Sequence, residues 1–395
     1  MLRIKMYPAN NGDAFLLSSD NTNILIDGGY ASTFNHHILN DLEAINSKNK
    51  YLELVITTHI DSDHIGGLIK FLSLNGSSAQ PQIIPIKNIW HNSLRSLTNH
   101  YEFLDMEKNR SLLQSINERG HPQRLDSDSK AEEISARQGS TLASMIHNGG
   151  YLWNGGNGAT SISKDNIDHF PLSEGIIRLL APTQEGLNKL LDFWKKELKK
   201  YGYKGPISSG LLLDDAFEFM LEHIDDNQLN SPTKISAGTY KPLHEIYEPD
   251  DSPTNRSSIA IIIELDNLRV LMLADSLAED IVQSLKELQA NGHSMMFDAI
   301  KISHHGSYRN TSPELLELID SPIYFISSNG SKHGHPDIEP LIAIIDRPSE
   351  FSRTLYFNYS TATSRMLQSY KSKSGAKFSV VENACDWIEL IGNNK

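Results

Sequence analysis

Much of what would settle the class of this chain at once is missing from it. There is one cysteine, Cys385, in 395 residues. A lone thiol excludes an internal disulfide and any zinc module built on cysteine pairs. No run of about 18 apolar residues occurs, so nothing reads as a bilayer span. The opening Met1-Leu2-Arg3-Ile4-Lys5-Met6-Tyr7-Pro8 lacks the long apolar core of a secretory signal. These absences set the expectation of a cytoplasmic chain with no membrane partner. Positive charge is short as well, and the net charge is −13. A protein that follows nucleic acid along its phosphates ordinarily shows a basic face. The acidic total therefore speaks against a long DNA track, while leaving room for a local groove. Self-similarity at solenoid periods is absent too.

What is present is a 39% hydrophobic content. That is enough for one large domain with insertions, or for two domains. The most informative stretch is Thr57-Thr58-His59-Ile60-Asp61-Ser62-Asp63-His64-Ile65-Gly66-Gly67. The apolar run Leu52 to Ile56 before it reads as a buried strand. The two glycines, then Leu68, Ile69, Phe71 and Leu72, read as a helix start. The polar cluster thus sits at the C-terminal edge of a strand, where open α/β sheets place ligands. Imidazole nitrogen and carboxylate oxygen suit Zn²⁺, and a harder Mn²⁺ tolerates them. The spacing is too tight for one helical face and suits a loop serving two adjacent ions. His59 and Asp61 would face one ion, Asp63 and His64 the other.

Other strand ends carry candidates. Strands are expected at Arg3 to Tyr7, Ala14 to Ser18 and Asn23 to Asp27, the last closing on Asp27-Gly28-Gly29. Asp27 is either an ordinary turn residue or a support for the ligand loop by hydrogen bonding. A helix from Phe34 to Ile45 carries His36 and His37 on its surface. A strand from Ile86 to Trp90 ends on His91, which lies near the site or is a plain edge histidine. Residues 94–170 are polar and glycine-rich, with helices expected at 109–117 and near 135–147. A strand at Ile176 to Leu180 runs into Ala181-Pro182-Thr183-Gln184, and an amphipathic helix with a lysine-rich end follows over Leu187 to Lys200. A further irregular stretch holds one helix at 214–224. Then come a hairpin, Ile259 to Leu265 and Arg269 to Leu273, and Asp275, which by type is a helix cap before Ala278 to Leu288. A strand through Phe297 to Ile302 ends on Ser303-His304-His305-Gly306-Ser307. Another, Pro322 to Ser327, is followed by His333-Gly334-His335-Pro336. A helix at 338–345 and strands at 353–358 and 377–381 finish the sheet.

The His59–Gly67 pattern resembles the signature of the metallo-β-lactamase superfamily. Asp61 in place of its second histidine is similar to the hydrolase domain of ComEC-like DNA-uptake proteins and their soluble relatives. Asn11-Gly12-Asp13-Ala14, the Asn255-Arg256-Ser257-Ser258 element, His304-His305-Gly306-Ser307 and Gly334-His335-Pro336 fit the same subset. The resemblance implies an αββα metallo-β-lactamase fold, two mixed β-sheets flanked by helices. It would be a single domain over 1–395, with insertions at about 92–172 and 202–253. It also implies metal ligands His59, Asp61, Asp63, His64, Asp275 and His304, with Asp275 bridging two ions and Asp27 supporting the loop. His305 would support the ligand His304 or contact substrate, and His333 and His335 would contact substrate beside the ions. One departure stands out. Gln184 occupies the place near which most members carry a ligand histidine, so one ion would be weakly held, or completed by His91 or water.

The cofactors expected are therefore two divalent ions, Zn²⁺ or Mn²⁺. The expected reaction is phosphodiester hydrolysis, a nuclease or phosphodiesterase activity in which the ions acidify a water and Asp63 orients it. Two alternatives stay open: hydrolysis of a small ester, lactone or cyclic nucleotide, and a non-catalytic metal-binding sensor or scaffold subunit. Soluble members of this subset often neighbour partner ATPases in bacterial operons, including defence systems. By analogy a protein partner joins a nucleic acid or nucleotide-like substrate among the expectations.

Overall fold

Short apolar runs between Gly, Asn and Asp turns make strands, and their continuous burial makes them strands covered on both faces. A computed structural model describes residues 1–98, 107–119, 141–207, 210–222, 241–332 and 334–391. His333 therefore lies outside the described residues. The strands are β1 (Arg3–Met6), β2 (Phe15–Ser18), β3 (Asn23–Ile26), β4 (Leu54–Ile56), β5 (Ile89–Trp90), β6 (His169–Leu172), β7 (Gly175–Ala181), β8 (Ala260–Leu265), β9 (Leu268–Met272), β10 (Ala299–Lys301), β11 (Ile323–Ile326), β12 (Arg353–Phe357), β13 (Phe378–Val381) and β14 (Ile388–Glu389).

They form two sheets, ordered β14-β1-β2-β3-β4-β5 and β13-β12-β11-β10-β9-β8-β7-β6. Both are mixed. In the first, β3, β4 and β5 run parallel and the rest antiparallel. In the second, β9 through β13 run parallel and β6 through β9 antiparallel. One apolar core lies between the sheets, with Ile4, Phe15, Leu17 and Ile56 of the first facing Ile177, Ile263, Val270 and Phe325 of the second. The outer face of the first sheet is covered by the helix Ser62–Asn75 and the helices of the two polar stretches. The outer face of the second carries the helices Ala278–Ala290, Pro313–Leu318 and Ile338–Ile345. Two mixed sheets between helix layers are the αββα sandwich expected from the sequence.

Differences from expectation are local. The strand at Ile86 to Trp90 shrinks to β5, with a single bridge joining Leu52 and Ile86. β6 falls inside the first expected insertion yet is the edge of the second sheet. The helix expected near 135–147 is described only at Leu142–Asn148, and the one at 214–224 spans Leu211–Glu222. The helix expected from Leu187 begins earlier, at Gln184, because Thr183 caps it by accepting from the Gly186 amide. Among the described residues no helix is long and apolar enough to cross a membrane.

Candidate metal centre

The site is built where parallel strands end. β3 and β4 of one sheet, and β9, β10 and β11 of the other, deliver their C-terminal ends to one rim. The backbone joins the two halves there: the Ile259 amide donates to the Thr58 carbonyl at 2.9 Å, and the Ser327 hydroxyl to the Gly12 carbonyl at 2.7 Å. Non-glycine residues in the left-handed region gather at the same rim, with φ of +55° at Asp27, +48° at Ala274, +44° at His304 and +56° at His305. Such angles persist only where surrounding contacts dictate them, and they mark functional rims.

Hydrogen bonds fix the tautomer of four imidazoles. The His64 Nδ1–H donates to Asp27 Oδ2 at 2.8 Å. The Thr58 hydroxyl donates to that same carboxylate at 2.7 Å, so its oxygen accepts from His59 Nδ1 at 3.1 Å. His305 Nδ1 donates to the Ser327 carbonyl at 2.9 Å, and His304 Nδ1 to Asn310 Oδ1 at 2.8 Å. With every Nδ1 committed to an acceptor, every Nε2 is left for the interior. All four point at one atom. Asp275 Oδ2 lies 3.9, 3.5, 3.8 and 3.3 Å from the Nε2 of His59, His64, His304 and His305. Asp61 Oδ2 adds a carboxylate 3.2 Å from His59 Nε2. Asp63 is held by Asn11, whose amide donates to it at 2.6 Å and in turn accepts from Tyr30 at 3.0 Å.

Three ligand-type groups lie within reach of one another in several combinations: His59, His64 and Asp275; Asp63, His64 and His305; Asp13, Asp275 and His305; Asp13, Asp27 and His64. All are buried. Among the described residues the Nε2 atoms of His59 and His64 and one oxygen of Asp61 have no hydrogen-bond donor or acceptor, although all are shielded from water, and the same holds for Oδ1 of Asp275, beside Lys301, and Oδ1 of Asp13, beside His305. Buried polar atoms are ordinarily satisfied. A set of them converging on one space fits divalent cations bound by nitrogen and oxygen.

The electrostatics agree. Burial works against an imidazolium at His64, but Asp275 and Asp27 outweigh it and hold its pKa well above the ordinary value. At His59, burial and His64 oppose the proton, and Asp61 prevails to raise it. At His305, burial again opposes, while Asp275 and Asp13 carry the pKa up to about 10. Burial raises Asp275, yet the surrounding His305 and His64 hold it well below the carboxylate range. His304 goes the other way, lowered chiefly by its burial. The carboxylates demand positive charge, and protons or cations can supply it.

Residues 7–78 match the model of the metallo-beta-lactamase superfamily. That stretch is similar to members of this superfamily. It contains Asp13, Asp27, His59, Asp61, Asp63 and His64 of the site. No curated protein matches the sequence. A similar solved structure is that of the metallo-beta-lactamase fold protein YhfI from Bacillus subtilis, matched over 98% of this chain and 100% of that one, at 9% identity and a TM-score of 0.36.

The superfamily-type ligands named from the sequence, His59, Asp61, Asp63, His64, Asp275 and His304, come together, with Asp27 behind them. His305, expected beside His304 as a support or a substrate contact, has its Nε2 3.3 Å from Asp275 Oδ2, the shortest of the four imidazole distances. His335 lies at the mouth, its ring 5.2 Å from that of His304 and its Nδ1 3.2 Å from Asp337. His91 does not join. Its Nε2 is 2.8 Å from Glu218, both side chains are 1% exposed, and a buried partner in the second polar stretch takes the atom that would bind an ion. Gln184 opens its helix and accepts from Ser161 at 2.9 Å.

Sequence reasoning gave no role to Asn11, Asp13, Lys301 or the trio Asp250, Asn255 and Asn310. In that trio Asp250 accepts from Asn255 at 2.6 Å and Asn310 at 2.9 Å, which sets the amide that orients His304. A lysine between Ile300 and Ile302 in an apolar strand was the readable signal for Lys301. Of the Asp250 trio only Asn255 left one, in the Asn255-Arg256-Ser257-Ser258 element.

Proposed function

We propose that this chain is a metal-dependent phosphodiester hydrolase, a nuclease or phosphodiesterase, using Zn²⁺ or Mn²⁺. The observation that carries the reading is the convergence of four imidazole Nε2 atoms on one carboxylate oxygen, with Asp61 and Asp63 beside them. Divalent ions bound there would acidify a water and draw charge off the oxygens of the scissile group. The chain's own groups then do the positioning. Asp63, fixed by Asn11, holds the proton of the attacking water. His335, backed by Asp337, stands where a leaving oxygen would take a proton. Lys332 and Ser328 line the same mouth and suit phosphate oxygens. The high carboxylate content of the ligand set favours hard oxygen-rich substrates and admits Mn²⁺.

A second reading has its own observation. The cleft at the metal centre is small, with a cavity volume of about 20 Å³, and with a net charge of −13 it favours a small ester, lactone or cyclic nucleotide over a long duplex. Plasmid DNA and a cyclic dinucleotide, each incubated with Mn²⁺ and the protein, separate the two. Wild type is compared with Asp63→Ala and His304→Ala. The expected result is turnover by wild type and a loss of roughly 10²-fold or more in each variant. Equal rates in all three proteins would remove these residues from the chemistry.

A further inference from the structure

Asp13 belongs to two of the four ligand-type clusters, yet a different cation already holds it. Lys301 is 1% exposed, and its ammonium pairs with Asp13 Oδ2. It also donates to the Ala274 carbonyl at 2.9 Å and lies 3.6 Å from Asp275 Oδ1. Two acceptors within hydrogen-bonding distance, and the Asp275 carboxylate just beyond it, thus surround the buried ammonium. The lysine cannot swing aside easily. It is the last residue of β10, paired across to Met272 on one side and Phe325 on the other. A divalent ion entering the Asp13 corner would meet a fixed positive charge in a water-poor space.

We propose that the Lys301 ammonium is the resident cation of that corner. Asp13 is then a counter-ion and no metal ligand. Lys301 also turns Asp275 so that Oδ1 faces the lysine and Oδ2 faces the imidazoles. The divalent ions are confined to the side of His59, Asp61, Asp63, His64, His304 and His305. Lys301 is a positioning residue under this assignment, which rests on the metal-centre reading above.

The test counts ions. Full-length wild type, Asp13→Asn, Lys301→Met and the double variant are saturated with Mn²⁺, freed of excess, and measured for bound metal per chain by native mass spectrometry, with thermal melts to confirm folding. Asp13→Asn is expected to keep the wild-type count. Lys301→Met, which bares Asp13, Asp275 and His305 to a cation, is expected to gain one ion, and the double variant to return to the wild-type count. Loss of an ion in Asp13→Asn, or an unchanged count in folded Lys301→Met, would overturn the assignment. Should Lys301→Met fail to fold, the near-isosteric Asp13→Asn decides alone. A wild-type chain that takes up no Mn²⁺ removes the metal reading itself, an outcome distinct from either.

Discussion

At the scale of single residues, Asp27 shows how much a group can matter without facing the ions. Its carboxylate accepts from the Thr58 amide at 2.8 Å, the Thr58 hydroxyl at 2.7 Å and His64 Nδ1 at 2.8 Å. It therefore sets the tautomer of His64 directly and that of His59 through Thr58. Asp27→Asn offers one oxygen and turns an NH₂ toward donors. Groups that orient metal-binding histidines are typically worth 10–100-fold in affinity. The expected outcome is a fall in Mn²⁺ affinity of about that size, read by competition with a chelating dye. Wild-type affinity in the variant would deny Asp27 this role. The Asp-Gly-Gly turn was visible in the sequence because strand, Asp and glycines are contiguous. Which atom of Asp27 meets which donor was not, since those donors lie on another strand.

At the scale of elements, the site depends on how closely the turn after β3 approaches the helix Ser62–Asn75. The Gly28 amide donates to the His64 carbonyl at 2.9 Å, and the Gly67 amide to the Gly29 carbonyl at 2.7 Å. A Cβ on Gly67 would lie 1.9 Å from the Gly28 carbonyl oxygen, whereas one on Gly66 would find its nearest neighbour at 3.3 Å. Backbone cannot yield as a side-chain tip can. Gly67→Ala is expected to cost about 1–3 kcal/mol and to weaken metal binding by moving Asp27, while Gly66→Ala does markedly less. Denaturant melts and Mn²⁺ titration of the two variants check this, and matched losses would show that the close approach does not set the site. Elements whose signal is local were legible: β3, β4, β8 to β11 and the helices that follow them stand close to where periodicity and turn residues put them. The polar stretches were not. His91 finds Glu218, 127 positions away, and Glu218 also accepts from the Ala143 amide at 3.0 Å. That contact ties β5 to both stretches through tertiary packing, which no short window of sequence records.

At the scale of the whole molecule, two strand bundles meet with a surplus of buried carboxylate between them, and the fold must keep that surplus neutral. Without divalent ions, protons do so. His305, with an ordinary pKa of 6.5, is carried to about 10 by Asp275 and Asp13 against its burial, and His59 and His64 are raised in the same sense. A folded-state pKa above the unfolded value gives stability that is complete below about 6.5 and is lost as pH rises toward about 10. Asp13 and Asp275, both depressed, act oppositely. Their contribution is complete above the ordinary carboxylate value and is lost only as pH falls through and below it. The chelated protein should therefore be most stable between these limits and weaken steadily above neutrality. Divalent ions require the imidazoles neutral and bring their own positive charge, so their affinity rises as protons leave. Ligand bound only to the folded state stabilises by about 2.7 kcal/mol at a hundredfold excess over its dissociation constant. The melting temperature with saturating Mn²⁺ should then exceed that with chelator by a margin that widens from pH 6.5 to pH 9. Thermal melts at three pH values across that range measure the margin. If it is constant or narrows with rising pH, protons and cations are not exchanging at the same imidazoles, and the centre is not held together by the charge balance its geometry implies.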